Sequence, residues 1–235
     1  FQLIQMPETR VLASGVVERI GIENGSISYK TETADFSEKV DFKDHAEGLQ
    51  KVANLLMSAE IGVIKNAAEV DAVGHRVVHG GKQFTKTIKV NDEVKANIKR
   101  LFSLAPLHNP ANLTGIEVAE KLFEEAPQVC VFDTAFFESV PQKAYQYAIP
   151  QHLMEESRIR AYGFHGTSHK YVSKKALNHL DDPYAKIITI HLGNGCSMTA
   201  IKDGKAIDTS LGFGPANGLI MGTRAGDIDQ SVVFF

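Results

Sequence analysis

The chain has 235 residues, 43% hydrophobic and 23% charged, the proportions of a folded globular protein with core enough for one large domain or two small ones. A formal charge of -3 gives no basic footprint for nucleic acid, and no apolar run approaches a membrane span or reads as a secretory leader. The two cysteines, Cys130 and Cys196, lack metal-ligand spacing, and reduced thiols in a cytoplasmic protein are expected.

Residues 1–33 read as β-structure: Phe1–Gln5, Val11–Ile20 and, after the turn Glu23-Asn24-Gly25, Ser26–Glu32. A helix is expected from about Asp44, with Glu47 as capping-box partner and Leu49, Val52, Leu56 and Ala59 as its buried stripe. The β-branched run Val70–Gly81 follows and carries Arg76 between His75 and His79. An arginine inside such a strand needs an anion or a neighbouring carboxylate to meet it. Asp92–Phe102 reads as a helix capped by Asn91, with Val94, Ile98 and Leu101 inward. Asn109 before Pro110 reads as the cap of a helix running to about Glu125, with Leu113, Ile116, Ala119 and Leu122 on one face. His108, just ahead of it, is either an anion contact or a hydrogen-bonded core histidine.

Gln128–Thr134 is a short buried strand ending at Asp133, whose carboxylate serves either a ligand at the strand's C-terminal end or a local cap or ion pair. A domain boundary is expected near 135–140, where Pro141 interrupts, dividing the chain into 1–135 and 136–235. The next helix is expected to be capped by Thr167 or Ser168 and to bury Val172, Ala176 and Leu180. His165/His169 and His75/His79 have i,i+4 spacing, but neither pair has the acidic partner of a zinc-binding helix, and zinc is disfavoured.

From Ile187 to Gly204 the pattern is strand, glycine turn, strand, second turn, leading into a third strand. Gly193 and Gly195 are expected to allow positive φ and close approach of an anion to backbone N–H groups, with His191 reaching the same anion. The other reading is an ordinary tight hairpin. Arg224 lies between glycines near the end, with Asp227 and Asp229 after it.

Six blocks in this order carry a resemblance: Gly74-His-Arg-Val-Val-His-Gly-Gly81, Ala105-Pro-Leu-His-Asn-Pro110, Phe132-Asp-Thr-Ala-Phe136, Gly163-Phe-His-Gly-Thr-Ser-His169, His191-Leu-Gly-Asn-Gly195, and Met221-Gly-Thr-Arg224 through Asp229. Along essentially its whole length the chain resembles the acetate kinases and their propionate kinase relatives. The resemblance implies the α/β fold of acetate and sugar kinases, Hsp70 and actin (ribonuclease H-like). That fold has two related domains on mixed five-stranded sheets, the second incomplete here. The family's opening phosphate loop and its later adenosine motifs have no counterpart in this stretch. The N-terminal acyl-substrate domain is therefore expected to be nearly whole, and only the first part of the nucleotide-binding domain present.

The implied activity is reversible, Mg2+- or Mn2+-dependent transfer of a phosphoryl group from ATP to acetate, giving acetyl phosphate and ADP, in a cytoplasmic homodimer without nucleic-acid or membrane partners. By resemblance Arg76 and Arg224 are clamps, His165 a transition-state donor and Asp133 the essential carboxylate, orienting substrate or a magnesium shell through water. Val78, Leu107, Phe164 and Pro215 match the acyl pocket; His191, Leu192, Gly193, Asn194 and Gly195 match the nucleotide-phosphate loop. Two departures stand out: Phe137 in place of a common histidine, and Phe213-Gly-Pro-Ala-Asn-Gly218 in place of Thr-Pro-Leu-Glu-Gly. Alternatives are a short-chain acyl kinase preferring propionate or butyrate, and a non-catalytic piece that only binds substrate or dimerises.

Overall fold

The computed structural model describes all residues from Phe1 to Phe235. Strands β1 (Gln2–Gln5), β2 (Arg10–Glu18), β3 (Ser26–Thr31) and β4 (Asp35–Lys39) pair in sequence order as an antiparallel sheet. Short connections make this meander the cheapest pairing. Strand β4 was not anticipated, because its pattern Asp-Phe-Ser-Glu-Lys offers one apolar residue. Helix α1 (His45–Leu56) is capped by Asp44, which accepts from the Glu47 N–H, while the Glu47 carboxylate reaches back to the Lys43 N–H. The chain turns at Met57, so Ala59 lies beyond the helix and is exposed, not part of its stripe.

Strand β5 (Val73–Val77) and β7 (Gln128–Phe132) belong to a three-stranded sheet of order β5-β7-β6, with β6 at Ile88–Lys89. The bonds Val73 N–H to Pro127 O and Asp133 N–H to Val77 O run in step, so β5 and β7 are parallel. Between them lie α2 (Asp92–Arg100), capped by Asn91, and α3 (Asn109–Leu122). After β7 come a 3₁₀ turn at Ala135–Ser139, the short helices α4 (Gln142–Tyr145) and α5 (Gln151–Glu156), and the longer α6 (Gly166–Leu180). Strands β8 (Ile187–Leu192), β9 (Cys196–Lys202) and β10 (Lys205–Thr209) form an antiparallel sheet of order β10-β9-β8. Asp203 and Gly204, both at positive φ, make the two-residue turn expected of Asp-Gly. The ladders thus hold four, three and three strands; neither of the expected five-stranded sheets is present as one ladder within this chain.

Two compact units result, residues 1–75 with 111–129, and residues 76–110 with 130–235; they do not coincide with a single cut after residue 135. The first is built on Ala13, Ile27, Tyr29, Phe42, Val52, Leu55 and Leu56, with a second cluster of Ala53, Val70, Ala119, Phe123 and Ala126. In the second, α6 packs on β8, and Phe137, Val140 and Ala206 form a small core. The expected face of α6 is corrected: Val172 and Leu180 are exposed, and the buried positions are Gly166, His169 and Ser173. A polar face wins because His169 finds hydroxyl partners on the sheet, so its burial costs little. The departure at Phe137 is explained by this core, in which its ring is 1% exposed.

Candidate functional site

Within the second unit a cavity of about 630 Å³ opens among Arg76, Val78, His108, Asp133, Phe164, His165, His191, Gly195, Pro215 and Arg224, with Thr167, Ser168 and Tyr171 along its edge. Strand β5 delivers Arg76 and β7 ends one residue before Asp133. Their parallel pairing brings guanidinium and carboxylate together as a two-point fork, Nε to Oδ1 at 2.9 Å and Nη2 to Oδ2 at 2.6 Å. Asp133 is 1% exposed, while the Arg76 side chain is 59% exposed. The fork raises the Arg76 pKa, chiefly through its hydrogen bonds to Asp133. Of the two partners open to Arg76 in the sequence, the carboxylate is the one it meets here.

The loop after β5 is tied at two points. Asn109 accepts the His79 N–H and donates to its carbonyl, and Thr134 accepts the Gly80 N–H. Asn109 is therefore a fully buried clamp and lies inside α3, not the cap expected from the Asn-Pro pair. Its amide matches both backbone groups of one residue, a pairing no local pattern announces. His79 accepts from the Gly81 N–H through Nδ1, and its ring sits edge-on to Tyr162 at 4.4 Å. Burial pushes its pKa down to about 4.

Helix α6 starts at Gly166, earlier than expected, because its N–H donates to the Asp133 carbonyl. A Cβ there would sit 2.1 Å from that carbonyl oxygen, so only glycine fits. The step into the helix leaves His165 in the left-handed region at φ 61, with no side-chain cap. Its Nδ1 lies 2.8 Å from the Ser197 hydroxyl and its ring stacks on His191 at 4.1 Å. His191 in turn bonds Ser168. Burial, then the neighbouring His191, lowers the pKa of both His165 and His169 to about 4, so both are neutral at pH 7. His108 is lowered by burial and by the nearby Arg224 and Arg76 charges.

The hairpin tip differs from expectation in one respect: neither Gly193 nor Gly195 adopts positive φ. Gly195 is demanded instead by close approach, since a Cβ would lie 3.0 Å from Cε1 and Nε2 of His165 and 3.3 Å from Arg224 Nη1. Gly193 closes the tip by donating to the Gly195 carbonyl. Leu192 is 79% exposed, and Leu192, Gly193 and Asn194 are not among the lining residues; nor is Leu107, 85% exposed in the turn before α3. Arg224 is held by the Pro215 carbonyl at 2.9 Å and by the Met221 sulfur. In the departing loop, Asn217 accepts the Gly212 N–H, a shaping role a neutral amide fills. Three lining residues were not read as part of a site: Thr167 and Ser168, taken only as candidate helix caps, and Tyr171, whose exposed helical position gave no signal.

Crystal structures that superpose on the chain include an acetate kinase and a propionate kinase. Acetate kinase from Porphyromonas gingivalis superposes with a TM-score of 0.92 at 43% identity, covering 99% of this chain and 59% of that one. A propionate kinase from Francisella tularensis superposes equally well, at 42% identity and the same coverages. Among curated sequences, the acetate kinases of Flavobacterium johnsoniae and Thermotoga maritima are 60% and 50% identical over the whole chain. The Acetokinase family model matches residues 1–235, and the chain belongs to that family. It spans about 59% of the length of these relatives.

Proposed function

We propose that this chain carries the acyl-binding and part of the phosphoryl-binding machinery of an acetate kinase, which moves a phosphoryl group between ATP and acetate in the cytoplasm as a homodimer. The observation that supports the reading best is the convergence of Arg76, Asp133, His165, His191, Gly195 and Arg224 on one cavity. A carboxylate acceptor is ionised at pH 7 and needs no general base. The difficulty lies in holding one anion against another, so positioning and charge neutralisation carry the catalysis.

In this reading Asp133 orients Arg76, the free edge of whose guanidinium steadies the acyl carboxylate. Arg224 meets the moving phosphoryl group. His165, neutral, donates to it. Val78, Phe164 and Pro215 wall the acyl group, Leu107 lies outside that wall, and the tip from His191 to Gly195 faces nucleotide phosphate. The family uses a divalent cation, Mg2+ by resemblance. Asp133 is the only carboxylate on the cavity and both its oxygens are engaged by Arg76, so these residues do not make a metal site and no step is assigned through one.

The test is turnover of the intact protein by acyl-hydroxamate formation. Arg76→Ala and Arg224→Ala are each expected to lose kcat by at least about 10²-fold. Near-normal turnover in either sinks the clamp role. The equal likeness to a propionate kinase keeps propionate as a second reading. One methylene changes binding by only about 1–3 kcal/mol, so acetate, propionate and butyrate need comparing by kcat/KM.

A further inference from the structure

Behind the cavity runs a chain of buried hydrogen bonds that the reading above does not use. Thr189 Oγ1 lies 2.7 Å from His169 Nδ1, His169 Nε2 lies 2.8 Å from Ser197 Oγ, and Ser197 Oγ lies 2.8 Å from His165 Nδ1. Thr189, His169 and Ser197 are 4%, 1% and 0% exposed. The His165 Nε2, at the other end, has no partner within the chain and borders the cavity beside Gly195.

A neutral imidazole has one N–H and one acceptor nitrogen, and a hydroxyl has one hydrogen, so the hydrogens in this chain can be assigned. Run from Thr189 outward, its hydroxyl donates to His169 Nδ1, His169 Nε2–H donates to Ser197, and Ser197 donates to His165 Nδ1. Every buried hydrogen is then used, and His165 carries its remaining N–H on Nε2. Run the other way, His165 Nδ1–H donates to Ser197, Ser197 to His169 Nε2, and His169 Nδ1–H to Thr189. The Thr189 hydroxyl hydrogen is then left buried without an acceptor. If both rings donate to Ser197, the serine hydrogen is stranded instead. An unpaired buried donor disfavours either alternative by about tenfold or more.

We propose that Thr189, His169 and Ser197 are positioning residues that lock His165 in the Nε2–H tautomer, so that it faces the cavity as a hydrogen-bond donor and never as an acceptor. The tautomer lock stands on the hydrogen-bond geometry and on both rings being neutral; its catalytic consequence rests on the phosphoryl-transfer reading. The opposite tautomer would aim a lone pair at an incoming phosphoryl oxygen, which repels it. The left-handed backbone at His165 fits this role, since it turns the ring so that one nitrogen meets the sheet and the other the cavity.

The test is a long-range proton–nitrogen correlation spectrum of the intact protein labelled with 15N-histidine, with the His165 signals assigned from His165→Gln. A His165 protonated on Nε2 with an acceptor Nδ1 is expected. Thr189→Val removes the anchoring donor and is expected to bring in the Nδ1–H tautomer at comparable population, with kcat lowered about two- to tenfold at nearly constant KM. Thr189→Ser restores both. Ser197→Ala, a smaller change, is expected to mix the tautomers as well and serves if Thr189→Val melts early. Nδ1 protonation in the unmodified protein overturns the proposal, as does a tautomer unmoved by both Thr189→Val and Ser197→Ala. If the tautomers behave as expected but His165→Gln turns over normally, the lock stands and the donor role in phosphoryl transfer fails. If His165→Gln is inactive while His165 is Nδ1-protonated, the lock fails and the transfer reading survives.

Discussion

Gly195→Ala is expected to slow the site while leaving the fold intact. The added Cβ meets Cε1 and Nε2 of His165 at 3.0 Å and Arg224 Nη1 at 3.3 Å. Comfortable non-bonded contact begins at about 3.5 Å, so a few tenths of an ångström, up to about 0.5 Å, must be found by the ring, the arginine or the tip. The ring cannot easily retreat, because Ser197 holds Nδ1 at 2.8 Å and His191 stacks on the ring at 4.1 Å. Arg224 is held through the Pro215 carbonyl. The relief therefore displaces a proposed catalytic group by about half of the 1 Å misplacement that costs about 10²-fold in rate, so a loss of about tenfold follows. Overpacking of about 1–3 kcal/mol is expected in a close-packed core and less here, where the tip can recoil toward solvent. The control is Gly115→Ala in α3, away from the cavity, whose Cβ meets nothing within 4 Å. Neither glycine has positive φ, so backbone strain does not confuse the comparison. The assay is kcat and KM by hydroxamate formation alongside thermal unfolding, both on the intact protein. A loss of about tenfold in Gly195→Ala with near-normal Gly115→Ala is expected. Equal turnover in the two variants would refute the close-approach reasoning.

Asp133→Asn is expected to lower kcat by about 10²-fold, because one amide oxygen cannot hold both arms of the Arg76 fork; stability should fall by about 1–3 kcal/mol. Because the two residues form one unit, Arg76→Ala on top of Asp133→Asn should cost less than the two single losses combined, a non-additivity read from a double-mutant cycle. The pH dependence has a defined sign. His79, His165 and His169 fall to about 4 in the folded state from an ordinary 6.5, so between these values the unfolded chain binds more protons than the folded one. Their neutral burial leaves stability intact above about 6.5 and erodes it as pH falls toward 4. Calorimetric unfolding across pH 4–7 checks this, and Tm values that rise on acidification through that window contradict it.

Much of the site could be read from residue order. Arg76 and Asp133 sit on or just after apolar strands, His165 and Arg224 lie between glycines, and all four line one cavity. What stayed hidden were pairings between distant segments. Asn109 looked like a cap because Asn-Pro is a strong local signal, yet its amide is used on His79, thirty residues away. The buried face of α6 was misread because Val172 and Leu180 fit a helical period, while the true face is held by hydrogen bonds from His169 to two strand hydroxyls. Gly195 drew notice for conformational freedom but is required by steric closeness, a property that exists only once His165 and Arg224 have folded around it.

These pairings also decide what charge the cavity offers. Arg76 is matched by Asp133, and His165 and His169 are neutral at pH 7, so their donors act as dipoles and not as cations. Arg224 is the lining cation whose bonds go to a carbonyl and a sulfur, leaving its charge uncompensated by any carboxylate. Removing Arg224 therefore takes away the field that draws an anion in. Removing Arg76 does the same by a different route, because it uncovers the buried Asp133 carboxylate against the same anion. The two arginine variants should consequently look alike in rate and differ in their rescue: Asp133→Asn recovers part of the loss only in the Arg76 background. Recovery in both backgrounds would mean that Asp133 acts on the cavity as a whole and not through its fork with Arg76.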